Sequence, residues 1–310
     1  MGKTVETVVV LTKGIKPKKQ RYQLGRRISF LCALLVIVLT LSIVVFITSK
    51  GLSTFLINNV SLKEFLFSTE WFPDRTLEEG GPRVGALTFI FGSVAVSMLA
   101  VLISAPLSFI TAIFMVEIAP GWGQRLLQPC IELLSGIPSV VYGYIGLSVL
   151  VPFIREYLGG LGFSLLAGVM VLSVMIIPTI VSVSVDSLRS LPSHLKEAAY
   201  ALGSTRWQTI RLILIPAAKT GLFTGVILGL ARAFGEALAV QMVIGNTKQI
   251  PQSLLDQLTT LTSGITMDMG YTVVGSLWNN TLWSMATILL LMSFFFILLI
   301  RIIAKRGANC

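Results

Sequence analysis

Two ionisable residues stand in an otherwise apolar run, Leu230-Ala231-Arg232-Ala233-Phe234-Gly235-Glu236. A guanidinium presents paired N–H donors in a rigid fork, which suits the oxygens of a tetrahedral anion. A carboxylate repels an anion, but it accepts a hydrogen bond from any proton that the anion carries. A helix running from near Lys219 to Gly245 would put both residues on one face and Arg232 about 20 Å from each end. At that depth of a bilayer a charge costs about 3 kcal/mol or more, so it must face a partner or a wet cavity. Two readings stay open: a self-neutralising Arg232–Glu236 ion pair that only holds helices together, and a substrate pathway for anions lined by both. Gly221, Gly225 and Gly229, continued by Ala233 and Ala237, form a second line about 100° round the helix. Small residues in such a row permit close helix packing, so the charges are expected beside a tight seam, as at an inter-subunit pore.

A second constellation lies in the polar segment 192–208, between two long apolar stretches. It reads as a helix–turn–helix. Ser193 is placed to cap the first helix, whose apolar positions Leu195, Ala198, Ala199 and Leu202 fall at i, i+3, i+4 and i+7. Gly203 suits a left-handed stop, and Thr205 with Gln208 suits a capping box for the next helix. Glu197 sits near the helix start, where the dipole favours its charge, and the two alanines let another surface approach closely. Such a helix either lies on the inner leaflet or is gripped by a partner outside the bilayer.

The elements that carry these residues must be membrane spans. Hydrophobic residues make up 54% of the 310 and charged residues only 12%, where a soluble domain carries about 25% charged. Six spans are expected, at 28–49, 86–116, 127–153, 163–185, 210–244 and 276–300, each long enough for a hydrocarbon core of roughly 30 Å. The net charge is +10 and is unevenly placed: eight Lys or Arg face one acid in the first 27 residues, and Arg301, Lys305 and Arg306 close the chain. The 50–83 loop is balanced instead. The positive-inside bias then places both termini and the 186–209 segment in the cytoplasm. The expected organisation is a basic cytoplasmic tail 1–27, a first transmembrane helix 28–49, an outer loop 50–83, a compact bundle 84–304 and a short tail 305–310. Trp71-Phe72-Pro73-Asp74 in the outer loop suits the membrane interface or a protein contact.

Several function classes drop out. His194 is the only histidine, and Cys32, Cys130 and Cys310 are scattered, so neither a metal site nor a catalytic residue set is expected. Gly2-Lys3-Thr4 lacks the glycine loop and strand of a phosphate-binding P-loop, so no nucleotide site is expected on this chain. The basic tail lacks the aromatic interleaving of a nucleic-acid binder, and no nucleic acid is expected. A cleavable signal peptide is not expected either, because the basic region is long and no small-residue cleavage site follows.

Glu197-Ala198-Ala199, Gly203 and Ile213-Leu214-Ile215-Pro216 resemble the E-A-A…G…I-x-L-P loop of ABC importer permeases, with Ile215 where the pattern prefers Leu. Arg232-Ala233-Phe234-Gly235-Glu236 with Val243-Ile244-Gly245-Asn246, and Gly136-Ile137-Pro138-Ser139-Val140-Val141-Tyr142-Gly143, look like signatures of Pst-type phosphate permeases. Glu70-Trp71 and Gly85-Ala86-Leu87 resemble the C subunit rather than its paired A subunit. Phe234 and Ala237 depart from the family's usual Leu or Ile and Thr. The resemblance covers about residues 84–304. It implies an all-α integral membrane protein of six transmembrane helices, a type-1 ABC importer permease bundle with a cytoplasmic coupling helix around Glu197, Ala198, Ala199 and Gly203. It implies a bacterial inner-membrane location among lipid and a second permease subunit (the A subunit). ATP-binding cassette subunits would carry ATP-Mg, an extracytoplasmic phosphate-binding protein would deliver inorganic phosphate, and Arg232 and Glu236 would lie on its path. Glu236 would either accept a proton-borne hydrogen bond that sulfate cannot offer, or release Arg232 in one conformational state. Rival readings are a permease of the same architecture for another oxyanion or solute, and an ATPase-independent channel or secondary transporter.

Overall fold

The computed structural model describes residues 19–76, 78 and 80–308, the side chains of 19–24 and 304–308 excepted. The rest of the expected basic tail, 1–18, and residues 309–310 lie outside them. The chain divides into two units, Met1–Ser49 and Lys50–Cys310. The first holds most of α1 (Lys19–Leu56), an apolar helix whose large side chains from Ile28 to Phe46 are widely exposed. That surface is what a lipid-facing helix requires. Helical backbone thus begins inside the expected tail and outlasts residue 49, because a polar flank does not end a helix that lacks proline, and Gly25 and Gly51 are carried within it.

Within the second unit, residues 50–83 are more than a loop. Ser284 Oγ donates to the Gly51 carbonyl at 2.6 Å and lies 2.7 Å from Thr54 Oγ1. Then come α2 (Leu62–Phe67) and a hairpin of β1 (Trp71–Phe72) and β2 (Arg83–Val84), antiparallel with Trp71 opposite Val84. Trp71 is no interfacial anchor: it is buried, edge-on to Phe89 at 4.9 Å, and its Nε1–H donates to Asp268 at 3.2 Å. The amphipathic ring gains more from closing the core than from lipid headgroups.

The bundle follows as α3 (Leu87–Ile118), α4 (Gly121–Gly136), α5 (Ser139–Tyr157), α6 (Leu165–Arg189), α7 (His194–Ala201), α8 (Arg206–Gly235), α9 (Leu238–Gln241), α10 (Leu261–Asp268) and α11 (Leu277–Ala308). Six helices among the described residues are long and apolar enough to cross a membrane: α1, α3, α5, α6, α8 and α11. Prolines sort by position. Pro106 and Pro178 are carried inside unbroken helices, whereas Pro152 and Pro216 each follow a wide π-type turn. There the missing N–H interrupts no regular ladder.

Two expected spans are broken. The third, 127–153, is two helices in series, α4 and α5, separated at Ile137-Pro138, because the residue before a proline is pushed out of the helical region. α4 lines a cleft with Val181, Val185 and Arg189 of α6, while Gly146 of α5 abuts Val171 near the other end of α6. The break therefore lies deep between them. The fifth span does not reach 244: α8 stops at Gly235 and Glu236 is extended, at φ −76° and ψ 126°. Residues 236–260 then fold back into the bundle as the short α9 followed by irregular chain. Such backbone survives at membrane depth only where protein satisfies it. Here Ser164 N–H donates to the Val243 carbonyl, Leu165 N–H to Asp256, Leu258 N–H to Ile244, and Leu261 N–H to Ser93 Oγ at 2.8 Å. Gly245 at φ 85° and Asn246 at φ 56° make its sharp turn.

The glycine row of α8 faces α6 of the same chain, not a neighbouring subunit. A Cβ at Gly221 would stand 2.1 Å from Ser187 Oγ, and one at Gly229 would stand 2.7 Å from Ile180 Cγ1. At Gly225 the Ile180 carbonyl would be 3.2 Å away. Replacing Gly221 by Val should cost about 1–3 kcal/mol through overpacking. It should lower the Tm of the detergent-solubilised protein, whereas Gly270→Ala, where a Cβ meets nothing within 4 Å, should not. Equal melting of the two variants would show that the seam yields.

Candidate functional site

Arg232 occupies the last turn of α8, half-buried, and its Nη1–H donates to Thr179 Oγ1 at 2.8 Å. Thr179 lies in the middle of α6, about 21 Å from Leu165 and about 15 Å from Arg189 at 1.5 Å per residue. The guanidinium is therefore at mid-depth, although the reason differs from a helix continuing to Gly245. Tyr142, in the first turn of α5 after the Pro138 break, is buried, and the neighbouring Gly143 packs directly on Ala239 of α9, where a Cβ would stand 2.9 Å from the Ala239 Cα. The Tyr142 hydroxyl donates to the Leu134 carbonyl at 2.7 Å, across the break. Two interrupted crossings, α4–α5 and α8–α9, thus meet beside one cation.

Glu236 does not neutralise that cation. Among the described residues no ion pair joins it to Arg232, because the helix that would align them has ended. Its Oε1 instead accepts the Ala239 N–H at 3.0 Å, capping the short α9, and its carbonyl accepts the Thr262 hydroxyl at 2.8 Å. A cavity of about 10 Å³, room for one water at most, sits among Ser93, Ser97, Glu236, Thr260 and Thr262. Phe234 stacks on Phe296 of α11 at 5.3 Å. Glu236 thereby fastens the re-entrant segment, and Arg232 stands at its edge with no ion-pair partner among the described residues.

At the far end of α6 and α8 the polar segment forms α7. Ser193 does not cap it, since its backbone is already helical and its side chain makes no capping bond. Gly203 takes φ 80° and ends the turn, and Thr205 with Gln208 forms the capping box of the following helix. The apolar face is split. Ala199 is buried while Leu202 is 88% exposed, and Glu197, Ala198, Tyr200 and Trp207 are also exposed. Lys196 reaches back to Glu117 at the end of α3, Nζ to Oε1 2.6 Å, with that carboxylate 7% exposed. The helix is thus anchored by one face and offers the other.

A family model described as "Binding-protein-dependent transport system inner membrane component" matches residues 104–308, from the middle of α3 through α11. The chain belongs to this family. It is 59% identical over 283 residues to the "Probable ABC transporter permease protein YqgH" of Bacillus subtilis (strain 168), covering 91% of this chain and 90% of the relative. It is 37% identical over 269 residues to the "Phosphate transport system permease protein PstC" of Mesorhizobium japonicum, covering 79% and 80%. To the PstC of Xylella fastidiosa (strain 9a5c) it is 36% identical over 262 residues, covering 78% of each. Among solved structures, a bacterial alginate ABC transporter shares the fold at TM-score 0.63 over 93% of this chain and 97% of that chain, at 15% identity. The MetNI methionine ABC transporter follows at TM-score 0.52 over 71% and 93%, at 19% identity. As a binding-protein-dependent permease of the type-1 ABC importer class, this chain is a multi-pass membrane protein.

Sequence reasoning missed Thr179 and Glu117, and gave Tyr142 only as part of the Gly136–Gly143 signature. The echo of Ile137-Pro138-Ser139 in Ile177-Pro178-Thr179 was the sequence signal that ends on Thr179. Glu117 carried none: 79 residues separate it from its partner Lys196.

Proposed function

We propose that this chain is a permease subunit of an ATP-driven phosphate importer, forming the pore with a second permease. The observation that carries the reading is similarity to PstC permeases across nearly four fifths of the chain. A mid-depth guanidinium with no ion-pair partner among the described residues supports it, because it offers an anion what a hydrocarbon core withholds. In this reading α7 and both termini face the cytoplasm, where the exposed Glu197–Ala198 side docks into an ATPase subunit that turns over ATP-Mg. The β1–β2 hairpin faces outward, where a phosphate-binding protein delivers the anion. Closure of the ATPases drives α7, and α7 drives α3 through the Lys196–Glu117 pair. Catalysis belongs to the partners; this chain supplies path and lever.

The test is uptake by proteoliposomes holding the permease pair, the ATPases and the binding protein. Phosphate should be accumulated only with ATP, and sulfate or molybdate at no more than about a tenth of its rate, the order of discrimination that one hydrogen bond to a charged group supplies. Accumulation of sulfate or molybdate in preference to phosphate favours the oxyanion rival. Uptake without the ATPases refutes the coupled reading.

A further inference from the structure

We propose that Thr179 is the positioning residue for Arg232, holding the guanidinium so that its remaining N–H groups and the threonine's own hydroxyl proton converge on a tetrahedral oxyanion. The proposal rests on the phosphate-importer reading and adds to it the neutral partner that makes a lone cation usable. Arg232 sits at the end of α8, where the helix no longer restrains it on its C-terminal side. A long side chain there is poorly ordered unless something holds it. Thr179 Oγ1 does so at 2.8 Å, and it is itself held: Pro178 and Ile180 on either side are buried, and its branched side chain has few rotamers.

The chemistry of the partner matters. A carboxylate in this place would fix the guanidinium but cancel its charge and repel an anion. A hydroxyl fixes one N–H and leaves the charge whole. Guanidinium has five N–H donors and threonine one hydroxyl proton, so after the Arg232–Thr179 bond forms, a fork and a hydroxyl donor remain on one side. That set matches the oxygens of a phosphate-like ion. The Tyr142 hydroxyl gives its proton to Leu134 and so does not compete as a donor.

The experiment compares Thr179→Val, Thr179→Ser, Arg232→Gln and the Thr179→Val/Arg232→Gln double variant in the complete assembled transporter, reading KM and kcat for phosphate uptake. Valine matches threonine in shape but lacks the acceptor, and Thr179→Ala is a second hydroxyl-free variant should valine impair assembly. Loss of a hydrogen bond to a charged group should lower kcat/KM roughly tenfold or more. Thr179→Ser should restore it to within about twofold of the parent, since it keeps the same bond. The double variant should be no worse than Arg232→Gln alone, because both act through one group. Parental kinetics in Thr179→Val, equal impairment in Thr179→Ser, or multiplying losses in the double variant would each overturn the assignment. If the parent carries another solute, the phosphate reading falls, and the same four variants measured with that solute still decide the role of Thr179.

Discussion

Arg232→Gln should lower phosphate uptake by roughly a hundredfold, to a rate still measurable above liposomes lacking the permease, while the protein inserts, assembles and melts no lower than the parent. Glutamine is two atoms shorter than arginine and gives up the Thr179 bond, at about 1.5–3 kcal/mol. What disappears is a positive charge at mid-depth with no acidic partner among the described residues. Removing it relieves about 3 kcal/mol of membrane insertion cost. A residue kept for stability would show the reverse, since breaking a structural bond lowers Tm. Loss of transport with undiminished stability is therefore the signature of a functional cation. Uptake assayed beside a thermal melt in detergent checks it, and parental transport rates in the variant remove Arg232 from the pathway.

What could be read from the chain follows the strictness of each physical constraint. The bilayer allows few lengths and compositions for a crossing, so the positions of the apolar stretches were legible. The Thr205–Gln208 box and the Gly203 stop were legible because capping is a matter between near neighbours. Breaks inside apolar runs were not. Nothing in the hydropathy of residues 230–244 marks Gly235 as the end of α8, because buried protein replaces lipid around the re-entrant chain and needs equally apolar residues. The Arg232–Glu236 pairing failed for that reason: spacing four implies a shared face only while the helix continues. Gly221, Gly225 and Gly229 announced a close approach but not its partner, which turned out to be α6. Lys196 and Glu117 meet only through tertiary structure, and the apolar positions read along α7 divide, Ala199 buried against the chain and Leu202, just past the helix end, exposed.

Reversing Glu197 to lysine should abolish ATP-driven uptake and release the ATPase subunits from the purified complex, without loss of the permease itself. The exposed side of α7 carries Glu197 and Ala198, whereas Ala199 is buried and Lys196 is engaged by Glu117. A changed charge at 197 therefore leaves the packing of the helix against its own chain untouched. Its direct cost is an unfavourable charge near a helix start, about 0.3–1 kcal/mol at an exposed position, too little to unfold a bundle of this size. Across a docked interface the cost is larger. Like charges brought together there oppose association by several kcal/mol, and each 1.4 kcal/mol weakens binding tenfold. The variant should accordingly separate two properties that a mere leaflet-bound helix would keep together: normal insertion, and retention of the ATPase on an affinity column. Undisturbed retention with full uptake would assign α7 to the lipid surface. Loss of retention with the permease itself intact would show that the ATPase docks on the exposed side of this helix.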